Sequence, residues 1–310
     1  MLSIVTSVYG TARFLEQFVA RADAAAQACG LGDYEMLFVI DGSTDDSSAD
    51  GPVGILRDLK AANPRLRIIE LSRNFGHHAA LLCGLEHARG NLIFLADSDL
   101  ETPPEVIRVL YAAMADPGVD VAFACRLERS EPRLRRFASR LFWRMFDALA
   151  DVRIHPNPLT ERLMRRRTVD AVLRMGDRTV FLAGMLQWIG FRQVPVPVAT
   201  TRRPGSPSYS WLRRAALAFD AIASFSTVPM TLLFIAGLLL AAASLAAATV
   251  LIAIKILRPD SVMHGFAAAA VLILFSLGSI LAAIGMLGLY LGKIFLQTKA
   301  RPIYIVRDEY

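Results

Sequence analysis

At 310 residues the chain is long enough for one large domain or two smaller ones, and 54% of it is hydrophobic. Its mean hydropathy of +0.42 is too high for an ordinary water-soluble enzyme. The formal net charge of +6 does not argue for a nucleic-acid partner. The basic residues crowd beside apolar stretches, where arginine meets anionic lipid more often than DNA.

Met1–Val8 runs directly into a strand, so no cleavable signal peptide is expected. Ser3–Val8 reads as an apolar strand, and Thr11–Cys29 has helical periodicity through Phe14, Leu15 and Phe18. Tyr34–Ile40 is a second strand, ending in Asp41-Gly42-Ser43-Thr44-Asp45-Asp46-Ser47. Gly42 permits a tight turn. Ser43, Asp45 and Ser47 are natural caps for a helix reaching about Ala62. Leu66–Leu71 is the third strand, followed by the loop Ser72–Gly76 and a helix to Ala88.

Leu92–Leu95 is a continuous apolar run, the mark of a buried strand, and Asp97-Ser98-Asp99 follow it. Thr102-Pro103-Pro104 starts a helix to about Ala115, and Val119–Cys125 is a strand ending at Arg126. Strands alternating with helices of this length predict a parallel, doubly wound α/β sheet. No GxGxxG follows the first strand, which argues against the usual dinucleotide fold.

Open α/β sheets bind ligands beyond the carboxyl ends of their strands. The polar groups gathered there are Asp41, Asn74, Asp97, Asp99 and Arg126. Two acids one residue apart can hold a hard divalent cation through oxygen, and that cation can neutralise a diphosphate. The other reading is an acidic turn that caps the next helix, and the same holds for Asp45 and Ser47.

In Pro132–Leu149, Leu134, Phe137, Leu141, Phe142, Met145 and Phe146 share one helical face, with Arg133, Arg136, Arg140 and Arg144 largely opposite. Such a helix suits the membrane interface, or else packs on the sheet. Trp211–Phe225 is a second of that kind. Ile154–Arg167 is expected to be a loop with a structural His155, Val180–Ile189 a helix, and Phe191–Val198 an edge strand marked by Pro195 and Pro197. Thr200–Ser210 is expected to be a polar loop near the membrane.

Pro229–Ile254 and Gly265–Gly292 contain no Asp, Glu, Lys or Arg, and each exceeds the ~20 residues that span a bilayer. Two transmembrane helices are expected, then a tail over 293–310. Arg213-Arg214, Lys293, Lys299 and Arg301 favour cytoplasmic termini over Lys255 and Arg258, which Asp260 offsets. Gly278, Gly285 and Gly288 permit close helix packing and leave homo-oligomerisation open. Cys29, Cys83 and Cys125 are scattered and odd in number, as expected of thiols in a reducing compartment.

The motifs SVYG (Ser7–Gly10), DGSTDDS (Asp41–Ser47), SRNFG (Ser72–Gly76) and DSDLE (Asp97–Glu101) occur in order. Arg126, FLAGMLQWIGFRQV (Phe181–Val194) and SFSTVP (Ser224–Pro229) continue the series. In these stretches the chain resembles the family 2 glycosyltransferases of the polyprenyl-phosphate type, such as dolichol-phosphate mannose synthase and bactoprenol glucosyltransferases. The resemblance implies a GT-A catalytic domain, Rossmann-like with a mostly parallel sheet, over 1–210. A juxtamembrane helix at 211–228, spans at 229–254 and 265–292 and a cytoplasmic tail at 293–310 would follow. It implies inverting transfer of a hexose from a nucleotide-sugar, with UDP favoured, to polyprenyl (undecaprenyl) phosphate at the cytoplasmic side of the inner membrane.

By the same resemblance Asp97 and Asp99 would hold Mg²⁺ or Mn²⁺. Val8, Tyr9, Asp41, Ser43, Asn74, Asp97 and Ser98 would bind the donor, with Asp41 at the nucleobase. Arg126, Arg129 and Arg202 would bind the lipid phosphate, and Asp97, Asp99 and Arg126 would carry catalysis. A phosphate-monoester nucleophile has a second pKa near ~6 and needs no strong base.

The chain departs from the family pattern in several places. Ile40 replaces the first of two acids, Thr11 stands where an acid is common, and Glu101 where glutamine is usual. Gly205-Ser206-Pro207-Ser208-Tyr209 lacks the loop lysine, and Thr160-Glu161-Arg162 stands where D-F-R is usual. The donor half of the site is intact and the acceptor half altered. A processive polysaccharide synthase carries Q-x-x-R-W, which Gln187-Trp188 does not satisfy. A non-catalytic, nucleotide-binding membrane scaffold is the remaining alternative.

Overall fold

The computed structural model of the protein describes residues 1–42, 51–126, 155, 158–178, 180–200, 228–257 and 266–310. These fall into two units: one of residues up to 200 together with 301–310, the other of 228–257 and 266–300.

The first unit is built on eight strands: β1 (Leu2–Val8), β2 (Tyr34–Ile40), β3 (Leu66–Leu71), β4 (Leu92–Leu95), β5 (Val121–Arg126), β6 (Pro158–Arg165), β7 (Gln193–Val198) and β8 (Val306–Glu309). Their order in the sheet is β7-β5-β6-β4-β1-β2-β3-β8. β1 is parallel to β2 and β4, β2 to β3, and β5 to β7. β6 is antiparallel to β4 and β5, and β8 to β3. The sheet is therefore mostly parallel, as expected.

Every residue of β1 and β2 is buried, the pattern of strands covered on both faces. The covering helices are α1 (Leu15–Ala28), α2 (Pro52–Ala62), α3 (His77–His87), α4 (Val106–Ala113), α5 (Arg166–Met175) and α6 (Leu182–Trp188). α1 buries Leu15, Phe18, Val19, Ala22, Ala25 and Ala26, one stripe at helical spacing. Phe18 meets Phe38 of β2 edge-on, with centroids 6.0 Å apart. α3 lies close on β1: a Cβ at Gly84 would come within 2.3 Å of the Val5 side chain.

Three expectations are revised. Helix α2 starts at Pro52, with Gly51 as its N-cap. The proposed caps Ser43, Asp45 and Ser47 lie outside the described residues. Proline at a first helical position has its φ preset and lacks only an amide that would be unpaired anyway.

The second revision is larger. Residues 158–165, expected as a loop, form β6, inserted antiparallel between β4 and β5. Leu163 and Met164 are fully buried there. The arginines at the end of the stretch turn back onto backbone carbonyls. Arg165 Nε donates to the Val119 carbonyl at 2.8 Å, and Arg166 Nη2 to that of Ala88 at 2.7 Å. Buried carbonyls need donors, and arginine supplies several in a fixed fork.

Third, the 293–310 tail contains β8, which covers the outer edge of β3. Arg307 Nη1 donates to Glu70 at 2.9 Å, Tyr310 Oη to Glu70 at 3.1 Å, and Arg57 stacks 4.0 Å over the Tyr310 ring. At the opposite edge, β7 carries Pro195 and Pro197, which cannot donate to a further strand.

The second unit comprises α7 (Val228–Leu257, 30 residues) and α8 (Phe266–Thr298, 33 residues). Among the described residues one segment, Phe275–Thr298, is long and apolar enough to cross a membrane. The segments 132–149, 201–210 and 211–225 lie outside the described residues. Cys29, Cys83 and Cys125 are free thiols.

An exposed strand edge is an aggregation template, so deleting Val306–Tyr310 is expected to lower Tm by at least about 4 °C. A fluorescence melt of the protein in detergent measures this, and an unchanged Tm would show that β3 does not depend on its partner.

Candidate active site

Because β1, β2, β3 and β4 are parallel, their carboxyl ends share one edge of the sheet, with Val8, Asp41, Asn74 and Asp97 at or just beyond them. β6 runs the other way, so its first residues reach that same edge: Arg162 pairs with Leu95. Arg126 is the exposed last residue of β5 there.

Asp41 is buried and anchors the next loop. Its Oδ1 accepts the Phe75 amide at 2.7 Å and its Oδ2 the Gly76 amide at 2.9 Å. Gly42, at φ +70°, permits this contact, since a Cβ would lie 2.4 Å from the Asn74 nitrogen. Each carboxylate oxygen keeps a lone pair for a further donor. The anchoring leaves Asn74 exposed, and Arg73 lies 4.2 Å over the Phe75 ring. Of the other residues assigned to the donor, Tyr9 is open and Val8 is buried. Ser43, like Arg129 and Arg202, lies outside the described residues.

The turn after β4 is tied down from several sides. Ser98, 2% exposed, donates from Oγ to the Ser7 carbonyl at 2.9 Å, and its hydroxyl pairs with that of Thr11 at 2.7 Å. Ser98 therefore holds the turn rather than facing a ligand. Asp99 Oδ1 accepts the Glu101 amide at 2.9 Å, and Leu100 between them has φ +61°. His77, the first residue of α3, shares a hydrogen bond between Nδ1 and Ser7 Oγ at 2.9 Å and sets Nε2 3.6 Å from Asp97 Oδ1.

Charge is concentrated here. Burial raises the Asp97 pKa and Asp99 adds to it, while His77, a Thr160 hydrogen bond and Arg162 oppose the rise. Glu161, 2% exposed, is pushed up to about 7 by burial, then by Asp97 and Asp99, against a hydrogen bond from Thr102. Burial brings Arg162 down to about 10, with Glu161 and Asp97 holding it up. Its Nε donates to the Thr160 carbonyl at 3.0 Å and its Nη2 to that of Leu159 at 2.8 Å. His78 is lowered to about 4, first by burial, then by His77 and Arg162.

The charge of the buried Arg162 guanidinium is offset by Glu161 and Asp97, and Asp99 adds a further negative charge beside Asp97. Asp97 and Asp99 are hard oxygen donors in an under-compensated field, and a divalent cation fits that donor set. Among the described residues no three His, Cys, Asp or Glu converge to hold a metal by themselves. Mg²⁺ typically takes one or two carboxylates and completes its shell with water and substrate phosphates.

His77 had no place in the sequence reading, Thr102 entered it only as the start of a helix, and Glu161 was set aside as part of an altered acceptor segment. His77 follows a strand-end loop and opens a helix, which was a usable signal. Nothing local marks Thr102 or Glu161.

A Rossmann-like, mostly parallel sheet with a D-x-D turn at its ligand edge defines the GT-A architecture. The model for glycosyl transferase family 2 matches residues 3–187, and the chain belongs to that family. A putative glycosyltransferase of Mycobacterium tuberculosis (strain CDC 1551 / Oshkosh) is 37% identical over 309 residues, covering 100% of this chain and 88% of the relative. The undecaprenyl-phosphate 4-deoxy-4-formamido-L-arabinose transferase of Enterobacter sp. (strain 638) is 32% identical, with 99% and 92% covered. Among solved structures, the mannosyltransferase PcManGT from Pyrobaculum calidifontis, in complex with GDP-Man and Mn²⁺, shares the fold. Its TM-score is 0.50 at 18% identity, over 97% of this chain and 85% of that one.

With a folded pKa of about 7 against an ordinary 4.5, Glu161 keeps a proton that the unfolded chain releases. Its contribution to stability therefore falls as pH rises from about 4.5 to about 7 and is level above that. In EDTA, the stability of wild type minus that of Glu161→Gln is expected to decline across this window, by on the order of 3 kcal/mol at most. Denaturant melts at a series of pH values measure it, and a flat or rising difference would contradict the burial.

Proposed function

We propose that the protein transfers a hexose, with inversion, from a nucleotide-sugar, a UDP-sugar by preference, to a polyprenyl phosphate such as undecaprenyl phosphate. The observation that carries this reading is the D-x-D turn after β4, with Asp97 and Asp99 set at the ligand edge of a family 2 chain. It is supported by 32% identity, over 99% of this chain, to a transferase named for undecaprenyl phosphate. α7 and α8, at 30 and 33 residues, exceed the ~20 residues a bilayer requires. We read them as two spans that hold the catalytic unit at the cytoplasmic side of the membrane, where a lipid acceptor lies.

Asp97 and Asp99 would hold Mg²⁺ or Mn²⁺, which when bound supplies charge compensation to the leaving diphosphate. His77 and Arg162 favour the ionised form of Asp97, the form a cation requires. Ser7, Thr11 and Ser98 fix the turn so that its acids are preorganised. Asp41 docks the 72–76 loop and so sets Asn74 beside the donor. Tyr9 offers an exposed ring beyond β1 for the donor. Arg126, with Arg129 and Arg202, is assigned to the acceptor phosphate.

That phosphate is already substantially ionised at neutral pH, since its second pKa lies near ~6. The work left to the protein is to hold two anions against each other in line. Arginine suits this because it stays charged and grips phosphate in a fork.

The test uses purified protein in detergent with undecaprenyl phosphate, Mn²⁺ or Mg²⁺ and a panel of UDP- and GDP-sugars, the lipid products being read by mass spectrometry. A glycolipid that disappears with EDTA is expected. Nucleotide binding without transfer would identify a non-catalytic membrane scaffold instead. Asp99→Ala is expected to reduce transfer by on the order of 10²–10³ with Tm unchanged. Near-normal activity would overturn the metal assignment.

A further inference from the structure

We infer that Arg307, at a bulge in β8, is a positioning residue for the donor loop: its guanidinium ties Ser72, the first residue of that loop, to the edge of the sheet. The inference rests on the donor site proposed above and gives the C-terminal segment a part in nucleotide binding.

The register of β8 singles the residue out. Ile69 of β3 pairs with Glu309 and Glu70 with Asp308, but Leu71 pairs with Val306. Arg307 is therefore the extra residue on β8, without an opposite number in the ladder. A bulge of this kind leaves one residue unpaired and re-aims its side chain. Here the guanidinium spans two residues of the neighbouring chain. Nη1 donates to the buried Glu70 carboxylate at 2.9 Å, and Nη2 to the Ser72 carbonyl at 3.1 Å. The Ser72 amide is taken by the same segment, since it donates to the Ile305 carbonyl at 2.9 Å. Both backbone groups of Ser72 thus end on residues 305–307.

Ser72 opens the 72–76 loop, whose exit is fixed by Asp41 through the Phe75 and Gly76 amides at 2.7 and 2.9 Å. Its middle presses on Gly42, where a Cβ would lie 2.4 Å from the Asn74 nitrogen. Asn74 stands exposed between these holds. A loop fixed at its exit alone can still swing at its entrance, and a binding group that must be ordered by its ligand binds it more weakly. The ladder does not need the second arm of Arg307. Ile68 and Tyr310 exchange backbone hydrogen bonds at 3.1 and 2.9 Å, and the Tyr310 hydroxyl donates to Glu70 at 3.1 Å. Those contacts hold β8 at its far end, so the arm that reaches Ser72 serves the loop.

The experiment titrates full-length protein in detergent with UDP, and separately with GDP, in the presence of Mn²⁺. Kd is read by calorimetry for whichever nucleotide binds the wild type. Arg307 is exposed, so its replacement opens no cavity. Arg307→Ala is expected to raise Kd about fivefold, as the loss of one hydrogen bond does. Arg307→Lys keeps a charge beside Glu70 but lacks the planar fork, and a rise of about threefold or more is expected. Tyr310→Ala loosens the far end of β8 without touching Ser72; it should lower Tm and leave Kd within about twofold of wild type. In turnover, Arg307→Ala should raise the donor KM with kcat unchanged, because the loop contacts serve ground and transition states alike. A mere loss of folded protein would lower kcat and leave KM in place.

Three results would overturn the inference: wild-type Kd in Arg307→Ala, wild-type Kd in Arg307→Lys, or a rise in Tyr310→Ala as large as that in Arg307→Ala. The second would make the charge beside Glu70 the active element, and the third would reduce the effect to loosening of the whole edge. Should Arg307→Ala fail to fold, Arg307→Lys and Tyr310→Ala decide the matter alone. Wild type and Asn74→Ala separate the two levels of the reading. No binding of either nucleotide by wild type removes the donor site itself, and normal binding by Asn74→Ala removes the loop from it. Binding that Asn74→Ala weakens but both Arg307 variants leave intact removes only the part given to Arg307.

Discussion

The arrangement at the ligand edge depends on a buried guanidinium. Arg162 sits within the sheet on a strand that runs against both neighbours, and it bonds the Leu159 and Thr160 carbonyls behind it. Its charge is offset by Glu161 and Asp97. Removing one partner of such a set leaves an uncompensated buried charge. The positions of Arg162, Glu161 and Asp97 are thus coupled, so the strand that completes the core also sets the electrostatics of the acidic turn.

The rest of the site follows from strand direction. Parallel strands deliver their carboxyl ends, and the polar residues that follow, to a single edge. The antiparallel strand between β4 and β5 adds residues from its amino end to that same edge. Asp41 illustrates how a residue can serve the fold before it serves a ligand. Its two amide hydrogen bonds hold the 72–76 loop down, and each carboxylate oxygen keeps a lone pair open. Ser98 goes further, since both of its contacts are internal and the side chain is fully committed to the turn.

The sheet ends in two different ways. β7 uses prolines, which lack the amide an added strand would need. β3 is covered instead by residues from the far end of the chain, held by the Glu70 contacts of Arg307 and Tyr310. A polar C-terminal segment thus becomes an edge strand because β3 offers it an unpaired row of backbone groups.

Much of this was written in local pattern. The apolar runs of β1 to β4, the 3.6-residue stripe of α1, the prolines of β7, the D-x-D turn and the charge-free C-terminal stretches are decided by neighbours in sequence. Hydrophobic burial and backbone geometry act on them over a few residues. β6 was not legible, because His155, Pro156, Asn157 and Pro158 at its start read as a loop, and its pairing with β4 and β5 is decided only in the fold. β8 was not legible either, since a four-residue strand exists only as a partner to an edge.

The same division holds inside the site. Asp97 and Asp99 could be read from their spacing. The environment of Asp97, the part of His77 beside it and the burial of Glu161 near it arise only when three separate strand ends and a helix start converge. Spacing is a local property of the chain. Burial and the compensation of charge are properties of what the folded chain brings together, and the tertiary structure alone decides them.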